Sequence, residues 1–586
     1  MVACGWVVRD PADMIEQERR ATAAAAALFV ALTLIATYPI ARAPASYAFF
    51  GHADAQLNMW ILAWDAHAIA RDPRHLFDTN IFAPERRTLA YSETLLGYLP
   101  LAGPILWLGG SPALAFNAVL MFSFVASGFA MYLLTRRLTG RHGPALVGGV
   151  VYAFLPYRFA HIPQIQLESM EWMPLAFLCL HLFIEGRRLR YAAGVGATIV
   201  IQAFCCLYYA VFLAVALIVA TPILLLADRR PNRGAALLTL ALVGSLTLIL
   251  LSPLGAEYMR VHREQGLERT LAETATRAAD GGAFAASPAR LHQRMWARSD
   301  TAPRDYLFPG AVALVLCAIA IGATARAIAV APRHPPRFAP LVLAYGAVAL
   351  VGAFASLGPH GIGGVSVFRV FYAAGPLMHG LRQVSRFAVL GLFGVSVLAA
   401  IGAALVSAHA RRFGTLASAT LAALAFAEVL VAPVSADRPG GEALVRIPPA
   451  PPVYDWLAHQ PGTFSIVELP FAPRGQMWQN SPYVYWSTVH WHGIVDAYSG
   501  FAPPSYAELA RTLSRFPDDR SHEALMVRHV RYVIVHFDLY KPWNAPLNVA
   551  RVNRTPWLHE VQRFSDVVVL AVQPDERLLT RLDDNR

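Results

Sequence analysis

Long apolar runs alternate with short arginine-bearing connectors over the first three-quarters of the chain. The runs fall at about 21–40, 112–134, 144–157, 172–185, 191–209, 210–226, 234–252, 309–325, 338–357, 387–406 and 415–433. A helix needs about 20 apolar residues to cross a bilayer, so this pattern predicts about eleven transmembrane helices. The segment 95–109 is apolar too, but Pro100, Pro104 and the turn Gly109–Pro112 break it. It predicts a partial or re-entrant helix. Arg9, Arg19 and Arg20 precede the first run, whose length favours an uncleaved helix over a cleaved signal peptide.

The connectors fix a topology. Arg136, Arg137 and Arg141 follow the second run, Arg187, Arg188 and Arg190 the fourth, and Arg229, Arg230 and Arg233 the sixth. Arg326, Arg333 and Arg337 follow the eighth run, and Arg411 and Arg412 the tenth. With the N-terminus inside, the excess of arginine on cytoplasmic loops is obeyed at all five places. Four large outer pieces remain, 41–94, 156–171, 253–309 and 359–386. In the third, Glu257, Arg260 and Glu268 read as a solvated helix face.

Beyond Ala436 the pattern changes. ADRPGGEALVRIPPAPP reads as a linker. SIVELP, VRYVIVH and DVVVLAV read as buried strands, and PPVYDWLAHQPG, SYAELARTLSRF and HEALMVRHV as helices. The expected organisation is a membrane domain, 1–436, followed by an extracytoplasmic α/β domain, 437–586. In fold class this is a polytopic α-helical membrane protein with a C-terminal α/β domain.

Composition agrees. The chain is 56% hydrophobic and 15% charged, with a mean hydropathy of +0.43, far from a soluble balance. Its net charge of +11 is almost all arginine, Lys541 being the only lysine. No basic run interleaved with aromatics points to nucleic acid. Cys179, Cys205, Cys206 and Cys317 lie in apolar runs and Cys4 near the N-terminus, with no zinc spacing.

Candidate chemistry concentrates in the outer pieces. In Gly51–Glu93, read as a helix, Asp54, Asn58 and Asp65 share one face and Leu57, Trp60, Trp64 and Ala68 another. That predicts a helix lying in the membrane interface, aromatic side down. Asp54 and Glu93 are the candidate catalytic carboxylates, as a general base with a second acid. Arg158, His161, Gln164, Gln166, Glu168 and Glu171 crowd the second piece, and lipid would leave them unsatisfied. Arg158, His161, Gln166 and Glu168 are the expected substrate-binding residues there. Arg382 and Arg386, four apart where a span begins, suit a phosphate at a helix N-terminus. His490, His492 and Asp496 in HWHGIVD are too weak a pattern for a metal site. There is no GxxxxGK loop, strand-linked GxGxxG or GxSxG elbow, so a transfer reaction on the outer face would need a donor held in the membrane.

The stretches DAQLNMWILAWDAHAI, DPRHLFDTNIFAPERRTLAYSE, LRQVSRF and VRYVIVH, with the first-loop acid, the span count and the outer tail, resemble GT-C fold glycosyltransferases that use polyprenyl-phosphate sugars. The resemblance implies a bacterial inner-membrane enzyme that moves a sugar, with inversion, from a polyprenyl-phosphate donor to a glycan, lipid or protein acceptor. It places the general base on Asp54. Many relatives carry two acids at this point, where the chain has His52 in Gly51–His52–Ala53–Asp54. A divalent cation is therefore left open as a cofactor and no metal ligand is assigned. Two other classes fit the same outline, a lipid-linked sugar transporter or flippase and a non-catalytic cell-envelope assembly protein. The first would need polar residues inside the spans, but spans such as Phe387–Val406 and Thr415–Pro433 hold few, with Glu428 the main exception.

Overall fold

The computed structural model describes residues 11–266, 270–295, 305–375, 378, 380–434, 444–540, 547 and 549–574. Arg9, Glu268, Lys541 and Cys4 lie outside them, as does 436–443 of the expected linker.

Among the described residues eight helices are long and apolar enough to cross a membrane. They are Asp13–Ala36, Pro112–Thr139, Ile165–Gly186, Leu207–Ala227, Arg233–Gln265, Ala311–Val330, Ala339–Ser356 and Val384–His409. The other three expected runs form shorter helices, His142–Ala153, Leu189–Cys205 and Gly414–Val429. The broken segment forms the nine-residue helix Leu99–Trp107. The chain is thus a mostly helical, multi-pass membrane protein.

Three of the five arginine connectors meet. Arg136 pairs with Glu18 at 2.9 Å, Arg187 with Asp228 at 2.6 Å, and Arg137 with Glu185. These contacts bring together the first helix and the turns near 140, 187 and 230. At the centre, Ala388–His409 is apolar all round and buried along most of its length, as a helix surrounded by protein should be. A Cβ on Gly394 would strike the Tyr345 carbonyl, and one on Gly402 the Leu316 carbonyl. Small residues here let helix backbones touch, the usual means of association where lipid supplies no hydrophobic drive.

The helix expected to end before Pro253 runs on to Gln265. Proline lacks an N–H, so the carbonyl four residues back, on Ile249, loses its partner. The Ser252 hydroxyl donates to that carbonyl at 2.8 Å, which offsets the lost hydrogen bond and lets the helix continue. The emerging end carries Glu257, which pairs with Arg260 at 2.7 Å and with Arg87 of the first outer piece at 3.2 Å.

The helix Ala53–Arg71 does not lie on a lipid surface. It is buried from Ala55 to Ala66, packed between Leu99–Trp107 and Pro112–Thr139 on one side and Ser481–His490 on the other. Trp60 stacks on Trp64, whose ring lies 5.8 Å from that of Trp491. The aromatic stripe faces protein because a second layer, contributed by the tail, covers it.

That tail holds a five-stranded sheet in the order Gly493–Ile494, Ser465–Leu469, Val530–His536, Val567–Val572, Leu558–Arg563. The first three are parallel and the last two antiparallel to their neighbours. Val467, Val533 and Val535 pack against Leu509 and Leu525 of the helices Pro504–Leu513 and Asp519–Met526. Tyr47–Ala48 pairs with Val445–Arg446, and Ile494 exchanges backbone bonds with Asn80 and Ala83. The sheet is therefore hydrogen-bonded to the first outer piece.

Candidate active site

All four pieces expected on the outer side, and the tail, converge on one cavity of about 680 Å³. Asp54 enters it from the start of the first-loop helix, where His52 caps the turn by accepting the Asp54 N–H on Nδ1 at 3.2 Å. The Tyr498 phenol donates to Asp54 Oδ1, and Gln164 Nε2 donates to Oδ2 at 2.6 Å. Gln164 Oε1 in turn accepts from Arg386 Nη2 at 3.3 Å. An acid from the start of the chain and an arginine from far along it thus face one pocket, linked by a single amide.

Arg386 sits in the 3-10 turn Val384–Phe387 that leads into the central helix, its guanidinium 5.5 Å from the Tyr208 ring. Arg382 lies in the exposed loop ahead of that turn, its N–H bonded to the Tyr208 hydroxyl at 3.2 Å. Both line the cavity, but they do not share a helix face as expected, because the helix starts only at Ala388. Arg277 and Arg474 add positive charge to the same walls. Arg386 Nε, Gln166 Oε1 and Asn58 Oδ1 belong to lining residues and are buried without a partner. A buried polar atom left unpaired costs about 1–3 kcal/mol, so these three favour a polar ligand.

Glu93 also lines the cavity, but its carboxylate takes the Leu207 N–H at 2.9 Å and the Tyr208 N–H at 3.5 Å. The structure places it as the cap of the helix Leu207–Ala227 rather than as a free second acid. Burial pushes its carboxyl up to about 7, against the pull of the two N–H groups and Arg386.

Three expected substrate ligands lie elsewhere. Arg158 is fully buried, with Nε on Glu168 Oε2 at 2.7 Å, Nη2 on Ser123 Oγ at 2.7 Å and Nη1 on the Ala153 carbonyl at 3.0 Å. Its guanidinium is 3.9 Å from the Phe124 ring centre. Neither Arg158 nor Glu168 lines the cavity; each satisfies the other, which is how a charge buried among membrane helices is tolerated. His161 bonds the Tyr157 carbonyl at 2.8 Å and lies 3.5 Å from Asp305. Of that polar loop, Gln164 and Gln166 alone line the cavity. Asp65, placed on the polar face with Asp54, is buried and accepts from the Leu95 N–H at 3.2 Å. Among the described residues no group of three or more His, Cys, Asp or Glu side chains could hold a metal ion. His492 bonds the Leu457 carbonyl, and Asp496 accepts from the Glu468 N–H. Glu428, the exception among the span residues, caps the helix Ala311–Val330 and pairs with His292.

Tyr498 had no sequence signal. It stands outside any motif, 444 residues from its partner. Tyr208, Arg277, Arg474 and Trp478 on the cavity wall were missed in the same way.

No family model and no curated protein matches the chain. Solved structures do. The arabinofuranosyltransferase AftD from mycobacteria aligns over 95% of this chain with 16% identity and a TM-score of 0.57. The oligosaccharyltransferase of Archaeoglobus fulgidus, in its apo form, aligns over 88% of this chain and 70% of its own, with 13% identity and a TM-score of 0.51. The chain spans 40% of the length of AftD. The likeness is one of fold, and it places this protein among membrane proteins of GT-C-like architecture.

Proposed function

We propose that the protein is a membrane glycosyltransferase that moves a sugar from a polyprenyl-phosphate donor to an acceptor on the extracytoplasmic face of a bacterial inner membrane. The observation that carries this reading is the shared cavity of Asp54, Arg382 and Arg386, with Gln164 between acid and arginine. The GT-C-like fold supports it. The arginine-bearing turns near 140, 187 and 230, which contact one another and do not line the cavity, support an outer-face cavity under the positive-inside rule.

In this reaction Arg382 and Arg386 hold the donor phosphate through guanidinium N–H groups. Gln166 and Asn58 offer free acceptors to sugar hydroxyls. Asp54 takes the proton of the acceptor hydroxyl as its oxygen attacks the anomeric carbon. The carbon–oxygen bond to phosphate breaks, and polyprenyl phosphate leaves with the electron pair. Inversion follows from attack opposite the leaving group.

The test is transfer from a polyprenyl-phosphate sugar by the full chain in proteoliposomes, read as release of polyprenyl phosphate. Asp54→Asn is expected to lower the rate by about 10²–10⁴-fold, as loss of a general base does. Full activity in that variant would refute the assignment.

A further inference from the structure

Resting on the proposed function, we infer that Tyr498 and Gln164 are positioning residues that lock the Asp54 carboxylate in one orientation, and that the C-terminal domain thereby completes the reaction site.

An aspartate at the start of a helix is free to swing, since rotation of its carboxylate group meets only broad minima. Here both oxygens are held, one by a phenol from the tail and one by an amide from the second outer piece. Each donor is itself fixed. Asn58, one helical turn after Asp54, donates from Nδ2 to the Pro163 carbonyl at 3.2 Å, which ties the Gln164 loop to the helix that carries the acid. Tyr498 follows the strand Gly493–Ile494, where Ile494 N–H donates to the Asn80 carbonyl at 2.7 Å and the Ala83 N–H to the Ile494 carbonyl at 3.0 Å. Those bonds set the tail against the same outer piece that holds Asp54.

The choice of neutral donors matters. A guanidinium directly on Asp54 would neutralise the base and be unavailable to a phosphate. Gln164 separates the two. Its carbonyl oxygen accepts from Arg386, which leaves its NH2 group toward Asp54. A carboxylate offers about four lone-pair sites, so two donors orient it and leave room for an incoming hydroxyl.

The test uses the full chain, with Tyr498→Phe and Gln164→Leu. The infrared carboxylate stretch of Asp54 is identified as the band lost in Asp54→Asn. It is expected to move in each variant, because each removes one donor. In the transfer assay Tyr498→Phe is expected to lower kcat roughly 10- to 100-fold, the scale of a misplaced reacting group, with donor KM within about twofold. A band that stays put in both folded variants overturns the inference, as does a change in donor KM that matches the change in kcat. A purely structural role would lower the thermal midpoint without moving the band. The infrared arm needs no turnover. If the band moves but no polyprenyl-phosphate sugar is consumed by the unmodified protein, the clamp on Asp54 stands and the proposed reaction fails.

Discussion

Replacing Arg158 with methionine strands Glu168 in a site closed to solvent. Both side chains have no exposed surface in the fold. The variant keeps much of the side-chain volume but removes the ion pair at 2.7 Å, the donor to Ser123 and the donor to the Ala153 carbonyl. Breaking a buried pair by deleting one partner costs about 3–5 kcal/mol, whereas replacing both by apolar groups is often close to neutral. Arg158→Met is therefore expected to unfold at a clearly lower temperature in detergent. Arg158→Met with Glu168→Met is expected to recover at least half of the loss. Because neither residue lines the cavity, binding of polyprenyl phosphate to any folded variant is expected to stay within about twofold of the unmodified protein. Normal stability in the single variant would refute the pairing argument. A folded double variant that no longer binds polyprenyl phosphate would return these two residues to the site.

Three further outcomes are expected. Glu93, raised from an ordinary 4.5 to about 7 by burial, carries its proton in both folded and unfolded forms below pH 4.5. Between 4.5 and about 7 only the folded form holds it, so stability falls as pH rises through that window, by roughly 3 kcal/mol. Glu93→Gln removes this decline, and a thermal-unfolding series from pH 4.5 to 8 that shows the same slope in both proteins would discount the group. Ser252→Ala leaves the Ile249 carbonyl without a donor and costs about 1 kcal/mol; adding Pro253→Ala returns a backbone N–H and restores the midpoint. Gly402→Val drives a side chain into the Leu316 carbonyl and lowers the thermal midpoint, overpacking of this kind costing about 1–3 kcal/mol, whereas Gly234→Ala, with open space around it, does not.

Where one physical force dominates, the primary structure is readable. Hydrocarbon thickness makes apolar runs conspicuous, and the tail strand Val530–His536 coincides with VRYVIVH because it is buried along nearly its whole length. Leu558–Arg563 was not legible as a strand, since LHEVQR is mostly exposed and shows no apolar alternation. Pro253 misled because the compensating hydroxyl comes from its neighbour. In the candidate site Asp54, Gln166, Arg382 and Arg386 were legible as polar groups beside the ends of apolar runs. Arg158 and Glu168 looked the same in sequence, and only their mutual contact, ten residues apart, separates a pair from a ligand set. Gln164 appeared merely as part of the crowd, and the link it makes depends on contacts more than a hundred residues distant.

The first-loop helix lies sandwiched between the bundle and a tail segment that follows it by more than 400 residues, Ser481 bonding Gln56 across 425 positions. Ribosomes add about 5–20 residues each second, so its tryptophan-bearing side waits on the order of twenty to ninety seconds for its covering layer. During that interval the nascent protein presents an unfinished aromatic surface beside the insertion machinery. A chain released early would keep that surface bare, which makes it a natural mark for quality-control proteases.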